Sequence, residues 1–340
     1  MKISDGFWMD KKGYDVRYVA QAYQAETFFH PAKDPRTTYL REQLKTGIEE
    51  EAAKMNKKNK GILFIICSAF CFALMGMFVK LAGDLPSIEK SFFRNLVALF
   101  FALVILKKDH VHFSGKKENI KYLVIRSVAG TVGILCNFYA VDHLVLSDAS
   151  MLNKMSPFFA ILFSILILKE KISLPQVAIV IGAFIGSLLI LKPSGASLVS
   201  FPALIGLIGG MGAGFAYTNV RVLGEKGEKG PFVVAFFSGF SCLVTLPYLI
   251  FDFHPMSGMQ LVYLLFAGLA AAGGQFSITA AYFHAPAKEI SVYDYSQILF
   301  SAAMGFIVFG QIPDVLSWIG YALICAMAVA MFFYNNRKTS

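Results

Sequence analysis

Charge is scarce in this chain: Asp, Glu, Lys and Arg make up 16% of its 340 residues, against 56% hydrophobic and 14% aromatic residues, and mean hydropathy is +0.59. A water-soluble domain does not need so much apolar surface. Cysteine is sparse too. Cys67, Cys71, Cys136, Cys242 and Cys325 all fall inside apolar runs, where a thiol behaves as a small apolar group and no secreted disulfide framework can be drawn. Cys67 and Cys71 share a helix face, but no histidine or further cysteine stands at ligand spacing, so neither a metal nor another cofactor is expected. His143, His254 and His284 lie at the ends of runs instead of clustering, which leaves a membrane-embedded enzyme without a converging base and nucleophile. No positively charged start leads into an apolar segment, which excludes a signal peptide at the N-terminus.

Long apolar runs are what the chain has in quantity. Runs of about 20 residues match a hydrocarbon core of roughly 30 Å at 1.5 Å per helical residue, and their continuous character selects helices over barrel strands. The expected fold class is an all-α polytopic membrane protein with ten transmembrane helices, near 61–82, 91–106, 120–141, 148–168, 175–191, 201–221, 231–251, 260–282, 290–309 and 315–334. Lysine and arginine set the orientation. Lys54, Lys57, Lys58 and Lys60, then Lys107, Lys108, Lys116, Lys117 and Lys121, then Lys169 and Lys171, then Arg221, Lys226 and Lys229, then Lys288, then Arg337 and Lys338 all fall on one side, while Lys90 and Lys192 fall on the other. Both termini are therefore expected in the cytoplasm, and the protein in the cytoplasmic membrane. The net charge of +9 serves topology, so membrane lipids are the expected partners and nucleic acid is not.

An internal repeat appears when the second half is slid back by 141 to 143 residues. "FALMGMFVKLAG" from Phe72 faces "FAYTNVRVLGEK" from Phe215, and "SDASMLNKMSPFFAILFSILILKE" from Ser147 faces "KEISVYDYSQILFSAAMGFIVFGQ" from Lys288. Five spans per half force the second copy to cross the membrane in the opposite sense. The halves, 57–191 and 201–334, are thus expected to form two inverted five-helix repeats with a substrate site near the midplane between them.

Several strings resemble the EamA-type drug/metabolite transporter family over about residues 57–336. They are "GILFIICSAFCFALMGMFVKLAGDLPSIEKSFFRNLVALFFAL", "NFYAVDHLVLSDASMLNKMSPFFAILFSILILKEKI" and "SQILFSAAMGFIVFGQIPDVLSWIGYALI". Arg94, the pair Tyr139 and Ala140, Pro157 and Glu170 carry the first-half pattern. In the second half Gln311 and Ile298 stand where the glutamate and proline would be, so the halves depart from strict equivalence. The resemblance implies ten helices, alternating access, and export or exchange of a small polar metabolite of the amino acid, nucleoside or S-adenosylmethionine class. Residues 1–54 lie outside it and read as a soluble extension, a fusion remnant or an upstream-start artefact. Their opening "MKISDGFWMDKKGYDVRYVAQAYQAE" weakly resembles the start of family 31 α-xylosidases.

Polar groups inside a membrane are costly and therefore candidates for function. Lys154 follows Asn153 in the fourth span, and subtracting 141 maps Asp294 onto Asn153 and Tyr295 onto Lys154. Taking both spans as continuous rods, Lys154 lies about 10 Å inside the outer end and Asp294 about 8 Å inside the inner end, roughly 12 Å apart along the normal. That separation argues against a direct ion pair. Lys154 is expected either to select an anionic group at the outer mouth of a cavity or to snorkel to the surface. Asp294 is expected to attract an amino group or carry a proton at the inner mouth. Spans facing the same cavity in the family add Asn137, Tyr139, Gln275, Thr279, Tyr282, Tyr217 and Asn219 as substrate-binding or gating candidates, each of which could instead tie helices together. Lys80 and Arg94 are placed in the outer vestibule, with snorkelling as their alternative. The glycine stretches "GLIGGMGAG" and "AGLAAAGG" follow no strand and read as close-packing surfaces, not phosphate loops. A proton or counter-substrate and a second copy of the chain remain open as partners, and a non-transporting receptor or scaffold and a membrane-embedded enzyme remain alternative functions.

Overall fold

The computed structural model describes residues 35–108, 117–144, 146–192 and 200–337, without the side chains of 35–56, Phe138, Val141, Asp142, 146–149 and Arg337. The resemblance at residues 1–26, and most of the 1–54 extension, lie outside the described residues. The chain divides into two compact units, Met1–Lys57 and Lys58–Ser340, and the second holds the helical bundle.

The described elements are helical throughout. They are α1 (Pro35–Leu81), α2 (Ser87–Lys108), α3 (Ile120–His143), α4 (Leu146–Asn153), α5 (Ser156–Leu168), α6 (Leu174–Leu191), α7 (Phe201–Glu225), α8 (Gly230–Phe251), α9 (Gly258–His284), α10 (Ala287–Ile290), α11 (Ser296–Phe309) and α12 (Val315–Arg337), with a 3-10 stretch at Ser291–Tyr295 before α11. Among the described residues 9 helical stretches are long and apolar enough to cross a membrane, one of them the Lys57–Leu81 part of α1. The α2 helix has 22 residues but falls outside that set. Glu89, Lys90 and Arg94 crowd its start and Lys107 and Lys108 its end, leaving too short a charge-poor core. Large apolar side chains such as Phe100, Leu166, Leu243, Ile250, Ile307 and Trp318 are exposed on the outside of the bundle, as lipid-facing surface requires.

The helices approach closely where side chains are small. A Cβ on Gly209 would lie 3.0 Å from the backbone nitrogen of Asn137, and one on Gly212 would lie 2.9 Å from the Ala129 carbonyl, so α7 meets α3 almost backbone to backbone. On the neighbouring face a Cβ on Gly210 would lie 2.5 Å from the Leu152 carbonyl and one on Gly214 would lie 2.7 Å from the Ala160 nitrogen. The glycine run of α7 thus seats both halves of the interrupted span α4–α5, as the close-packing reading expects. Hydroxyls and amides tie other pairs. Ser68 donates to the Gly274 carbonyl at 3.0 Å, Thr131 and Ser241 are 2.7 Å apart, and Gln176 donates to Asn335 at 3.1 Å.

Two spans are not continuous helices. Pro157 has no N–H, so the Asn153 carbonyl loses its intrahelical donor and the helix breaks between Asn153 and Ser156. The second break, Ser291–Tyr295, has no proline and instead tightens into 3-10 geometry. Other local features recur at an offset of 141. Lys169 (φ 54°) and Gly310 (φ 63°) both end their helices in the left-handed region. The N–H groups of Glu170 and Gln311, one residue on, return to the Ser164 and Gly305 carbonyls at 3.4 and 3.0 Å. Ser173 with Gln176 caps the start of α6, and Asp314, accepting from the Ser317 N–H at 3.0 Å, does so for α12.

Candidate functional site

The two breaks meet inside the bundle. The Lys154 carbonyl, freed when the helix breaks, accepts a hydrogen bond from the Tyr295 hydroxyl at 3.1 Å. The Lys154 ammonium lies 3.3 Å from Asp294 Oδ2 and donates to Gln297 Oε1 at 2.7 Å. Both charged side chains are 11% exposed. Lys154 and Asp294 thus form the direct pair that the depths of two unbroken rods exclude, and that expectation is wrong. The rod picture has the lysine stem leaning back toward its own helix N-terminus. Neither span is a straight rod here, and the departures from α-helical geometry at both breaks bring the two groups to 3.3 Å. The snorkelling alternative for Lys154 falls with it, because its ammonium is held in the interior.

Beside the pair is a cavity of about 140 Å³ lined from α1, α2, α3, α7, α8, α9 and both interrupted spans. Of the sequence candidates, Asn137, Asn153, Lys154, Tyr217, Gln275, Asp294 and Arg94 line it. Arg94, expected with Lys80 in an outer vestibule, instead faces this central space, 5.9 Å from the centre of the Phe72 ring. The remaining candidates do not reach it. Tyr295 is fully buried behind Lys154. Tyr282 is buried with its ring stacked on Tyr217 at 5.3 Å, which makes it a support for a lining residue. Thr279 is buried without a hydrogen-bond partner for its hydroxyl among the described residues. Asn219 donates to the Phe215 carbonyl one turn back at 2.9 Å. Tyr139 is 36% exposed and stacks on His143, and Lys80 is exposed with its ammonium 4.3 Å from the Phe309 ring centre.

Sequence reasoning missed Arg126, Gln297 and the apolar wall formed by Phe72, Met75 and Phe237. A signal for Arg126 existed: it stands in "LVIRSVAG", six residues into the third span, and any such charge is a candidate. It is 2% exposed, its guanidinium lies 3.6 Å from the centre of the Phe237 ring, and it donates to Gln275 Oε1 at 3.4 Å. Gln297 carried no signal, since a single amide three residues beyond Asp294 is ordinary. On the side of the bundle that carries Lys58 and Asn336, joined at 2.6 Å, Arg221 donates to the Tyr282 and Phe283 carbonyls at 3.3 and 3.2 Å and pairs with Glu225 at 3.0 Å. Among the described residues no group of three or more His, Cys, Asp and Glu side chains could hold a metal.

A cavity with polar and charged lining residues between broken helices is the arrangement of a solute carrier, and comparison with known proteins agrees. Residues 59–192 match the EamA-like transporter family. The pseudopaline exporter CntI of Pseudomonas aeruginosa is 32% identical over 273 residues, 80% of this chain and 95% of that protein. Solute carrier family 35 member G1 of Homo sapiens is 25% identical over 79% of this chain and 77% of its own length. A riboflavin transporter of Vibrio cholerae is 24% identical over 82% and 95%. A solved structure 13% identical in sequence superposes with a TM-score of 0.71 over 81% of this chain and 98% of that one, which shows the shared fold. The chain belongs to the EamA-like transporter family. It is a multi-pass membrane transporter and not an enzyme.

Proposed function

We propose that the chain is a secondary transporter that carries a small polar metabolite across the cytoplasmic membrane by alternating access, exporting it or exchanging it for another solute. The observation that carries the reading is the Lys154 to Asp294 pair, buried at the junction of the two interrupted spans and facing a central cavity. Half-helix ends and freed backbone groups at such breaks are where carriers of this architecture hold solute. We read α2 as the tenth crossing, and the halves 57–191 and 201–334 as inverted repeats. The recurrence of left-handed helix ends and helix caps at an offset of 141 supports that reading. The basic loops orient both termini to the cytoplasm.

Cavity size bears on the substrate. Sites for drug-sized ligands occupy about 300–1,000 Å³, and the 140 Å³ here favours an amino acid over a nucleoside, S-adenosylmethionine or a flavin. Lys154 and Asn153 would meet a carboxylate, Asp294 an amine, and Asn137, Tyr217 and Gln275 would supply neutral hydrogen bonds. Purified full-length protein in liposomes tests this. Solute-dependent flux across the bilayer is expected from a panel of amino acids, nucleosides and S-adenosylmethionine. Binding of a panel member without flux would indicate a receptor and refute the transport reading.

A further inference from the structure

Resting on that transport reading, we propose that the site is built for a solute with two carboxylates and one amine, Arg94 and Arg126 each taking a carboxylate and Asp294 the amine.

The charge of the lining carries this. Arg94, Arg126 and Lys154 are its cations and Asp294 its one acidic residue, which leaves a formal charge of +2. Lys154 is matched by Asp294. The two guanidiniums are not matched. A guanidinium has five N–H donors in a fixed fork, yet Arg126 makes one long bond to Gln275. Its Nε and Nη1, and the Nε of Arg94, are buried with no hydrogen-bond partner among the described residues. Arg94 and Arg126 are close enough to repel each other, and the Tyr217 hydroxyl stands within electrostatic reach of both and of Asp294. Unmatched buried charges of one sign are strongly unfavourable unless an ion of opposite sign completes the site.

A purely structural role would leave the arginines tied to neighbours or reaching for the surface. Arg126 is 2% exposed and tied by one long bond to Gln275, and the Phe237 ring lies against its guanidinium, which leaves Nε and Nη1 for the in-plane bonds a carboxylate makes. Gly130 leaves the room for this, since a Cβ there would lie 2.9 Å from Arg126 Nη1 and 2.8 Å from the Phe237 ring. Two carboxylates and an ammonium lower the sum over lining and ligand from +2 to +1. A neutral zwitterion leaves it at +2. Lys154 faces Asp294 Oδ2, so the other carboxylate oxygen is the one that takes the amine, and Lys154 keeps both Asp294 and Gln297 as partners.

The experiment compares counterflow of L-glutamate, its near-isostere L-glutamine, glutarate and L-leucine in liposomes holding the full chain. Glutamate should exceed glutamine by about 10–100-fold, the effect of one hydrogen bond to a charged group, and should also exceed glutarate, which lacks the amine. Arg126→Gln should bring glutamate down to the glutamine level, and Arg126→Lys should retain part of the preference. Gly130→Ala, which removes no charge and crowds the guanidinium, should weaken the preference as well, so the proposal does not hang on one variant's folding. Glutamine or leucine flux equal to or above glutamate flux would overturn the inference while leaving the transport reading in place. Absence of flux for every solute, nucleosides and S-adenosylmethionine included, would overturn both. A preference that survives Arg126→Gln and Gly130→Ala, both checked as monodisperse, would remove the arginine from the site.

Discussion

The span that carries Lys154 and the span that carries Asp294 are interrupted near corresponding positions by different means. In the first, Pro157 removes a backbone donor and the helix parts between Asn153 and Ser156. In the second, Ile298 stands at the equivalent position, and the chain passes through five residues of 3-10 helix instead. A break therefore does not require a proline, and Pro247 inside the continuous helix α8 shows that a proline alone does not always make one. What the two breaks share is each other: the Tyr295 hydroxyl satisfies the Lys154 carbonyl, and the Asp294 carboxylate faces the Lys154 ammonium. The second break is held by tertiary contact where the first is written into the local sequence.

The largest effects should come from removing one charge of the shared pair. Truncating one partner of a buried ion pair costs about 3–5 kcal/mol because the other is left uncompensated. Lys154→Met and Asp294→Asn should each lower the melting temperature in detergent and reduce flux by about 10–100-fold. The combination Lys154→Met with Asp294→Asn should recover stability but not flux. A double variant no more stable than either single one would show that the pair is not coupled in the folded protein.

Next in size is the proline itself. Pro157→Ala restores an N–H opposite the Asn153 carbonyl, lets α4 and α5 join, and turns Lys154 away from Asp294. The joined helix gains up to ~3 kcal/mol over one containing proline, but parting Lys154 from Asp294 costs about 3–5 kcal/mol, so this variant should be no more stable than the parent and slower in flux. The reciprocal Ile298→Pro should change flux less, since its span is already interrupted there. Equal flux for Pro157→Ala and the parent would detach the break from transport. Smaller again is Tyr295→Phe, which deletes one bond between the two breaks and should cost about 0.5–1.5 kcal/mol of stability. If the second break depends on the first, hydrogen exchange should quicken at Ser291–Tyr295 more than at Asn153–Ser156.

The same contrast between local and tertiary causes decides how much was legible in the sequence. Continuous apolar runs, basic loops and the 141-residue offset pointed to the spans, because hydrocarbon thickness and backbone satisfaction act on each span separately. Asn137, Asn153, Tyr217, Gln275, Asp294 and Lys154 were recognisable as polar groups in apolar surroundings, and all of them line the cavity. Pairing was not recognisable. Whether Lys154 meets Asp294 depends on two local departures from helical geometry, one without any marker residue. Arg126 could have been found by the rule that flagged Lys154, since it is a charge inside an apolar span. Tyr282 turned to Tyr217 on a neighbouring helix, Asn219 to its own helix, and Thr279 to neither, because helical position fixes a residue's depth in the bundle, not the partner it finds.

The smallest expected effect lies at the exits of the two spans, where the repeat also differs in chemistry. Glu170 and Gln311 are 141 residues apart, and their N–H groups close the same kind of helix end. Gln311 is exposed, whereas Glu170 is partly buried and its Oε2 has no hydrogen-bond partner among the described residues. Burial raises the Glu170 carboxyl above its ordinary range, against the opposing pull of Lys288 and Arg221. A carboxyl whose folded pKa is raised binds its proton more tightly in the folded state. It therefore disfavours folding at pH values above both its folded and unfolded pKa, and that penalty fades as pH falls through the raised value. Glu170→Gln should accordingly raise the melting temperature modestly at neutral pH, and the gain should shrink as the pH is lowered into the carboxylate range. Gln311→Glu, at an exposed position, should move stability by no more than about 0.5 kcal/mol at any pH. If Glu170→Gln instead lowers stability at neutral pH, Lys288 and Arg221 outweigh burial, and the ionised carboxylate belongs to the basic cluster at that end of the bundle.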